Sequence, residues 1–163
     1  MMINEPGYRL NVGIIIINDK GNLLLCKRKN TNSWQFPQGG INKSETPLQA
    51  AKRELFEEVG IESNCVKLLS TTKKWFKYDI PKEKRKNYFH RKNFKGQKQK
   101  WFMFKLLKNT NIHFDNDPDA EFVDYKWVPY WYPLHTVIEF KKEVYRSALV
   151  ELRQLYSGMF CND

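Results

Sequence analysis

Cysteine and histidine are scarce. Cys26, Cys65 and Cys161 are odd in number and form no CxxC pair, so the spacing describes neither a disulfide framework nor a zinc site. His90, His113 and His135 lie too far apart in the chain for a local metal motif, and each reads as a surface or satisfied core histidine. No apolar run approaches the ~18 residues of a membrane span. The first residues, MMINEPGYRL, lack the basic segment, apolar stretch and small-residue cleavage site of a secretory leader. There is no internal repeat and no low-complexity linker. A reduced, cytoplasmic protein with no membrane partner is expected. Against these absences stand 163 residues that are 41% hydrophobic and 15% aromatic, enough to bury one real core. A single domain over 1–163 is the economical reading.

Acidic residues are also outnumbered, 18 against 28 Lys and Arg, and the excess is local. The segment 73–105 holds 13 of the basic residues and only two acids, Asp79 and Glu83, whereas the rest of the chain is close to balanced. Trp75, Phe76, Tyr78, Tyr88, Phe89 and Phe94 interleave with its lysines. Basic side chains attract phosphates without reading sequence, and aromatic faces stack on bases. The competing reading, strongest for residues 82–96, is a solvated loop whose aromatics simply pack.

Along the chain, Val12–Ile17 is a β-branched run, residues 18–22 supply turn chemistry, and Leu23–Lys27 resumes, which together predict a hairpin. Cys65–Thr72, Lys100–Leu107 and Asp124–Val128 read as further strands. Apolar residues at a helical period predict a C-terminal helix over about 136–156. Asp115 to Glu121 forms an acidic loop. The most informative helix starts near Thr46, a candidate N-cap, with Pro47 at its first position and Gln49 completing a capping box. Gly60 sits where a left-handed C-terminal cap is wanted. Leu48, Ala51, Leu55 and Val59 fall on its core side. Glu54, Glu57 and Glu58 share another face at i, i+3, i+4 spacing.

Three carboxylates on one face repel one another, so a positive charge belongs among them. Oxygen donors at this density suit Mg²⁺ first and Mn²⁺ second, both of which also bind substrate phosphates. Lys52 and Arg53 offer the plainer neutralisation, and the helix alone favours it.

The surrounding pattern reverses that preference. Residues 39–61 read Gly39-x5-Glu45-x7-Arg53-Glu54-Leu55-x-Glu57-Glu58-x-Gly60-Ile61, which resembles the Nudix box at every fixed position. Further blocks, GYRLNVG at 7–13, SWQFPQGGIN at 33–42, GQKQKW at 96–101, YWYP at 130–133 and FKKEVYR at 140–146, resemble the RNA pyrophosphohydrolase branch of that family in bacteria. The resemblance implies an α/β class, the Nudix fold, an α/β/α sandwich around a mixed β-sheet. It also implies removal of pyrophosphate from 5′-triphosphorylated RNA, the step that starts transcript decay.

By resemblance, Glu54, Glu57 and Glu58 hold the divalent metal, joined by a backbone carbonyl of Gly39 or Gly40 and by Glu121. The last has an alternative as a solvated loop acid. Glu57 or Glu58 would add base duty, Arg53 would brace the glutamates, and Glu45 would fix the loop–helix junction. Arg9 would reach substrate phosphate, while Arg28 and Phe140 would sandwich an RNA base. Ser33, Gln38, Tyr78, Gln97, Lys98 and Lys141 are candidate phosphate or ribose contacts. Trp34, Trp101, Trp127 and Trp131 are assigned to the core. The resemblance departs at two points: Leu10 and Ala120 stand where proline is expected.

A dinucleoside polyphosphate hydrolase is the nearest alternative, since Tyr78 resembles that group's downstream tyrosine. A sanitiser of oxidised nucleoside triphosphates would not need the basic stretch. An RNA-binding module without turnover is opposed by the intact glutamate set. A protein activator is neither required nor excluded by these residues.

Overall fold

The computed structural model describes residues 4–85 and 93–160. His90, Cys161 and the aromatics Tyr88 and Phe89 lie outside them, as does the order of the central part of 82–96. Eleven segments carry the architecture: β1 (Tyr8–Ile17), β2 (Leu23–Arg28), β3 (Trp34–Gln35), β4 (Gln38–Gly40), α1 (Pro47–Val59), β5 (Val66–Thr71), β6 (Phe76–Asp79), β7 (Gly96–Leu106), β8 (Phe122–Val128), α2 (Pro133–Thr136) and α3 (Lys142–Phe160). The sheet runs β3-β2-β1-β7-β5, with β4 added to β1, β6 to β7 and β8 to β2. It is mixed: β1 and β7 are parallel from Tyr8 opposite Gly96 to Ile17 opposite Lys105, and the other pairs are antiparallel.

The run in β1 is apolar without alternation because both faces of this strand are covered. Ile15 and Ile17 enter the layer formed with Val144, Ala148, Leu149 and Leu152 of α3. Val12, Ile14 and Ile16 enter the opposite layer with Ala51, Leu55 and Val59 of α1. The expected α/β/α sandwich around a mixed sheet is therefore present, and the hairpin closes as read, Ile17 opposite Leu23. The inner layers leave no slack at Gly13, where a methyl group would enter the fully buried Trp101 ring. Gly13→Ala is expected to cost about 1–3 kcal/mol through overpacking, which thermal melting would register as a drop of several degrees.

Helix α1 matches its reading at both ends. Thr46 accepts from the Gln49 amide at 3.1 Å, the Gln49 side chain accepts from the Thr46 amide at 2.9 Å, and Gly60 closes the helix at φ 73°. The C-terminal helix differs. Pro133–Thr136 forms one short helix, Val137 and Ile138 are extended, Glu139–Lys141 makes a 3₁₀ turn, and only then does α3 begin. Val137 packs against the core in an extended conformation, which separates the two helices. At its far end α3 runs through Gly158 to Phe160, because the Tyr156 hydroxyl donates to the Gly21 carbonyl at 2.7 Å and stacks on Phe160 beside the hairpin turn. Tertiary packing overrides glycine's weak helix preference there.

Of the tryptophans, Trp101 is fully buried, and Trp34 and Trp127 are half-buried against the two cores. Trp131 corrects its assignment. It is 39% exposed, its ring edge-on to Tyr130 and faced by the Arg153 guanidinium.

Candidate active site

The glutamates of α1 face the end of the sheet where β1 and β4 pair, but they are not equivalent. Glu54 and Glu58 are buried, whereas the Glu57 side chain is 44% exposed. Helical curvature explains the split, since position 57 lies at the rim of the arc that 54 and 58 define. Close approach is possible because Gly39 has no side chain; a Cβ there would collide with the Glu54 carboxyl group. One at Gly40 would collide with the Arg9 guanidinium, which places Arg9 at the same edge.

Arg53 occupies the centre. Its Nε and Nη2 donate to the two oxygens of Glu45 at 3.0 and 2.6 Å, Nη1 donates to Glu54 at 2.8 Å and Glu57 at 3.1 Å, and Nη2 also reaches the Gly40 carbonyl at 2.8 Å. Such a forked pair is strong and directional. Glu45 in turn accepts from the Asn42 amide at 2.8 Å, so it fixes the junction between loop and helix. The Arg53 guanidinium holds the Glu45 carboxyl below its usual range.

Glu54 and Glu58 titrate in the opposite direction. Burial pushes the Glu54 carboxyl up to about 7, and the Arg53 bond only partly offsets it. Burial also raises Glu58 well above its ordinary value, with the charges of Glu54 and Glu121 adding to the effect. Its hydrogen bond from the Gln38 amide, at 3.3 Å, is insufficient compensation. Two buried carboxylates that repel each other form an arrangement a divalent cation relieves, and their all-oxygen donor set fits a hard ion. Among the described residues no three His, Cys, Asp or Glu side chains yet converge as a closed cage, with Arg53 lying between Glu54 and Glu57.

The other expected site residues divide. Arg9, Arg28, Ser33, Gln38 and Glu121 reach the surface at least in part. Glu121 is exposed, yet its charge acts on Glu58 and on Lys141. Tyr78 and Gln97 are buried, at 6% and 3% exposure, and the Gln38 side-chain amide nitrogen donates to the Tyr78 hydroxyl at 3.2 Å. Lys98 is bonded to Glu5 at 3.3 Å, and Lys77 joins the same carboxylate at 2.6 Å. Lys100 covers Trp75, and Phe94 is buried. At its described flanks, then, the basic segment packs its aromatics, and two of its lysines are paired with Glu5 from the N-terminal end of the chain. Phe140 is half-buried against Tyr78, ring centroids 5.8 Å apart, with the Lys84 ammonium 5.5 Å from its own centroid.

Lys141 departs furthest from expectation. Only 5% exposed, its amine donates to Gln35 Oε1 at 3.1 Å and Gln38 Oε1 at 3.3 Å. Burial, aided by the Arg28 charge, brings it down to about 7. Sequence reasoning missed its partner Gln35, and also Asn11 and Gln99, which are joined at 2.8 Å. A signal existed for Gln97 and Gln99: in a strand they share a face with the core residue Trp101. Their Oε1 atoms are buried without a hydrogen-bond partner among the described residues.

The NUDIX domain family matches residues 7–148, the span that carries both layers of the sandwich and the glutamate helix. The chain belongs to the NUDIX family. Among curated NUDIX relatives, a protein of Pasteurella multocida named RNA pyrophosphohydrolase is 48% identical over 159 residues, covering 96% of this chain and 80% of that one. Another of the same name, from Baumannia cicadellinicola, is 50% identical over 155 residues, 92% and 94% of the two chains. Solved NUDIX structures agree in fold at lower identity. The Escherichia coli dihydroneopterin triphosphate pyrophosphohydrolase superposes with a TM-score of 0.70 at 21% identity, covering 88% of this chain and 97% of its own. A Caenorhabditis elegans Ap4A hydrolase complex gives 0.68 at 17%, covering 92% and 98%.

Proposed function

We propose that this NUDIX protein hydrolyses the 5′-triphosphate end of RNA to a 5′-monophosphate in the cytoplasm, and so opens transcripts to decay. The buried Glu54–Glu58 pair carries the reading: two carboxyls that burial makes costly to ionise lie at the sheet edge beside Arg9, an arrangement that a divalent cation acting on phosphates would relieve. Near-full-length relatives at 44–50% identity that bear the RNA pyrophosphohydrolase name support the substrate.

In this reading Glu54, Glu57, Glu58 and Glu121 hold Mg²⁺ or Mn²⁺, with the Gly40 carbonyl, now held by Arg53, as the backbone oxygen and Gly39 giving clearance. When bound there, such an ion would neutralise charge on the phosphates and make a nearby water easier to deprotonate. Glu58 or Glu57 takes the proton of the attacking water. Arg53 keeps the carboxylates apart and oriented, and Arg9 meets a substrate phosphate. Arg28 and Phe140 hold the first bases, Ser33 and Gln38 line the approach, and Tyr78 supports Phe140 from beneath. Gln97, Lys98 and Lys141 remain candidate phosphate or ribose contacts, set deeper than Ser33 and Gln38.

The test offers equal amounts of a short 5′-triphosphate RNA with an unpaired end and diadenosine tetraphosphate together, with Mg²⁺. Faster formation of 5′-monophosphate RNA is expected. Faster formation of ATP and AMP would assign the chain to dinucleoside polyphosphates, and binding without any release of pyrophosphate or phosphate would make it a non-catalytic RNA-binding module.

A further inference from the structure

Strands β4, β1 and β7 lie side by side, and their register sets Gly40, Asn11 and Gln99 in one row and Gln38, Gly13 and Trp101 in the next. Asn11 and Gln99 therefore share the face of the sheet that carries Trp101, in the layer that α3 covers. Both are buried, Gln99 completely. Burying a carboxamide costs free energy unless its groups are all bonded, so an apolar pair would fill this place more stably. The Gln99 carboxamide is only half satisfied: its Oε1 has no hydrogen-bond partner among the described residues.

The other half is fully used. Gln99 Nε2 donates to Asn11 Oδ1 at 2.8 Å and to Gln38 Oε1 at 3.3 Å. Gln38 Oε1 accepts a second bond, from the Lys141 amine at 3.3 Å, and Gln38 Nε2 donates to the Tyr78 hydroxyl at 3.2 Å. The Gln38 side chain is thus gripped from three sides. Its backbone has a different duty. The Pro37 carbonyl and the Ile41 amide bond to β1, and Gln38, one step along the same short strand, turns its amide the other way. That amide donates to Glu58 Oε2 at 3.3 Å. One residue therefore joins a buried carboxamide network on the α3 side of the sheet to a buried carboxyl group of α1.

We propose that Asn11 and Gln99 are positioning residues for the hydrolysis: they hold Gln38, and through its backbone amide the Glu58 carboxyl group, in the reacting arrangement, and the fold gives up stability to keep them. This rests on the role given to Glu58 above and deepens it. Being buried, the two residues act through Gln38 and not on the substrate.

The experiment compares the native chain with Gln99→Met, Asn11→Leu and the double variant. It measures urea midpoints without metal, the rise in melting temperature that Mg²⁺ produces, and kcat and KM on 5′-triphosphate RNA and on diadenosine tetraphosphate. Methionine and leucine keep roughly the volume and shape of the amides they replace. Each single change strands the carboxamide of the other residue, so both single variants should unfold at lower urea than the native chain. The double variant removes both partners and should recover the native midpoint or exceed it. Turnover should not recover with it. Its kcat is expected to stay about ten- to a hundredfold down, the scale of a displaced reacting group, with KM within about twofold of native. The Mg²⁺-induced rise in melting temperature should shrink as well.

A kcat that follows the urea midpoint through the set, or a double variant less stable than the single ones, would make the network purely structural and overturn the proposal. A rise in KM at unchanged kcat would overturn it too, by placing the network against substrate. A native chain that turns over diadenosine tetraphosphate and not RNA would overturn the RNA reading alone, and the kcat pattern on that second substrate would still decide the positioning role. A native chain whose melting Mg²⁺ does not move would overturn the role of Glu58 and the proposal with it.

Discussion

Glu58→Gln is expected to melt later than the native chain at pH 8 and to turn over about a thousandfold more slowly, within the range that a positioned proton acceptor contributes. The two effects share one cause. Burial raises the Glu58 carboxyl well above its ordinary value, so the folded chain takes up a proton there that the unfolded chain does not hold above pH 4.5. Stability therefore falls as pH rises from about 4.5 through the folded pKa. A neutral amide of the same shape escapes that penalty and still accepts from the Gln38 amide.

The same logic applies at Glu54, pushed up to about 7, where ionisation at pH 8 costs about 3 kcal/mol of folding stability. Thermal melts at pH 5 and pH 8 without metal check this. The Gln variant should gain little at pH 5 and several degrees at pH 8. Added Mg²⁺ should stabilise the native chain at pH 8 and the variant much less. A variant that melts earlier at pH 8, or responds to Mg²⁺ as the native chain does, would show that Glu58 is a structural carboxyl.

Lys141→Met should change how stability depends on pH at the alkaline end. The Lys141 amine falls to about 7 in the folded chain, mainly because it is buried, while an unfolded lysine keeps its proton to about 10.4. Between those values the unfolded chain holds the extra proton, so this residue makes the native fold more stable as pH rises. Its neutral form has two hydrogens for the two acceptors it meets, Gln35 Oε1 and Gln38 Oε1. Urea unfolding at pH 6, 7.5 and 9 would follow the gap between native and variant. It should shift in favour of the native chain by about 1.4 kcal/mol per pH unit above 7 and stay flat below 6. A gap independent of pH would place the charge of Lys141 in solvent contact.

These two residues also show what the sequence discloses. Glu58 was legible because helix periodicity, a capping box and a left-handed glycine cap are local codes, all read within residues 46–60. Its surroundings were not, since they include the Gln38 amide arriving from β4, a strand too short to show a period. Lys141 was read as a surface contact because its burial follows from the extended Val137–Ile138 step, which breaks the expected 136–156 helix and turns the 3₁₀ segment inward. The pairing at the flanks of the basic segment was hidden for a similar reason: Glu5, more than seventy residues away in sequence, takes both Lys77 and Lys98. The Trp131 assignment failed because ring size alone says nothing about a neighbour such as Arg153.

The parallel pairing of β1 with β7 has a kinetic consequence. It joins residues almost ninety positions apart in sequence, and it is the central pair of the sheet. During synthesis the β1–β2 hairpin emerges first, with Ile14, Ile15, Ile16 and Ile17 exposed on both faces, and waits until the whole basic segment and β7 have followed. Loop closure over that distance slows the nucleus, and the apolar strand stands unpaired meanwhile. The dense lysines between them turn the emerging chain strongly positive only just ahead of β7, so self-repulsion opposes association at the last stage before the strands pair.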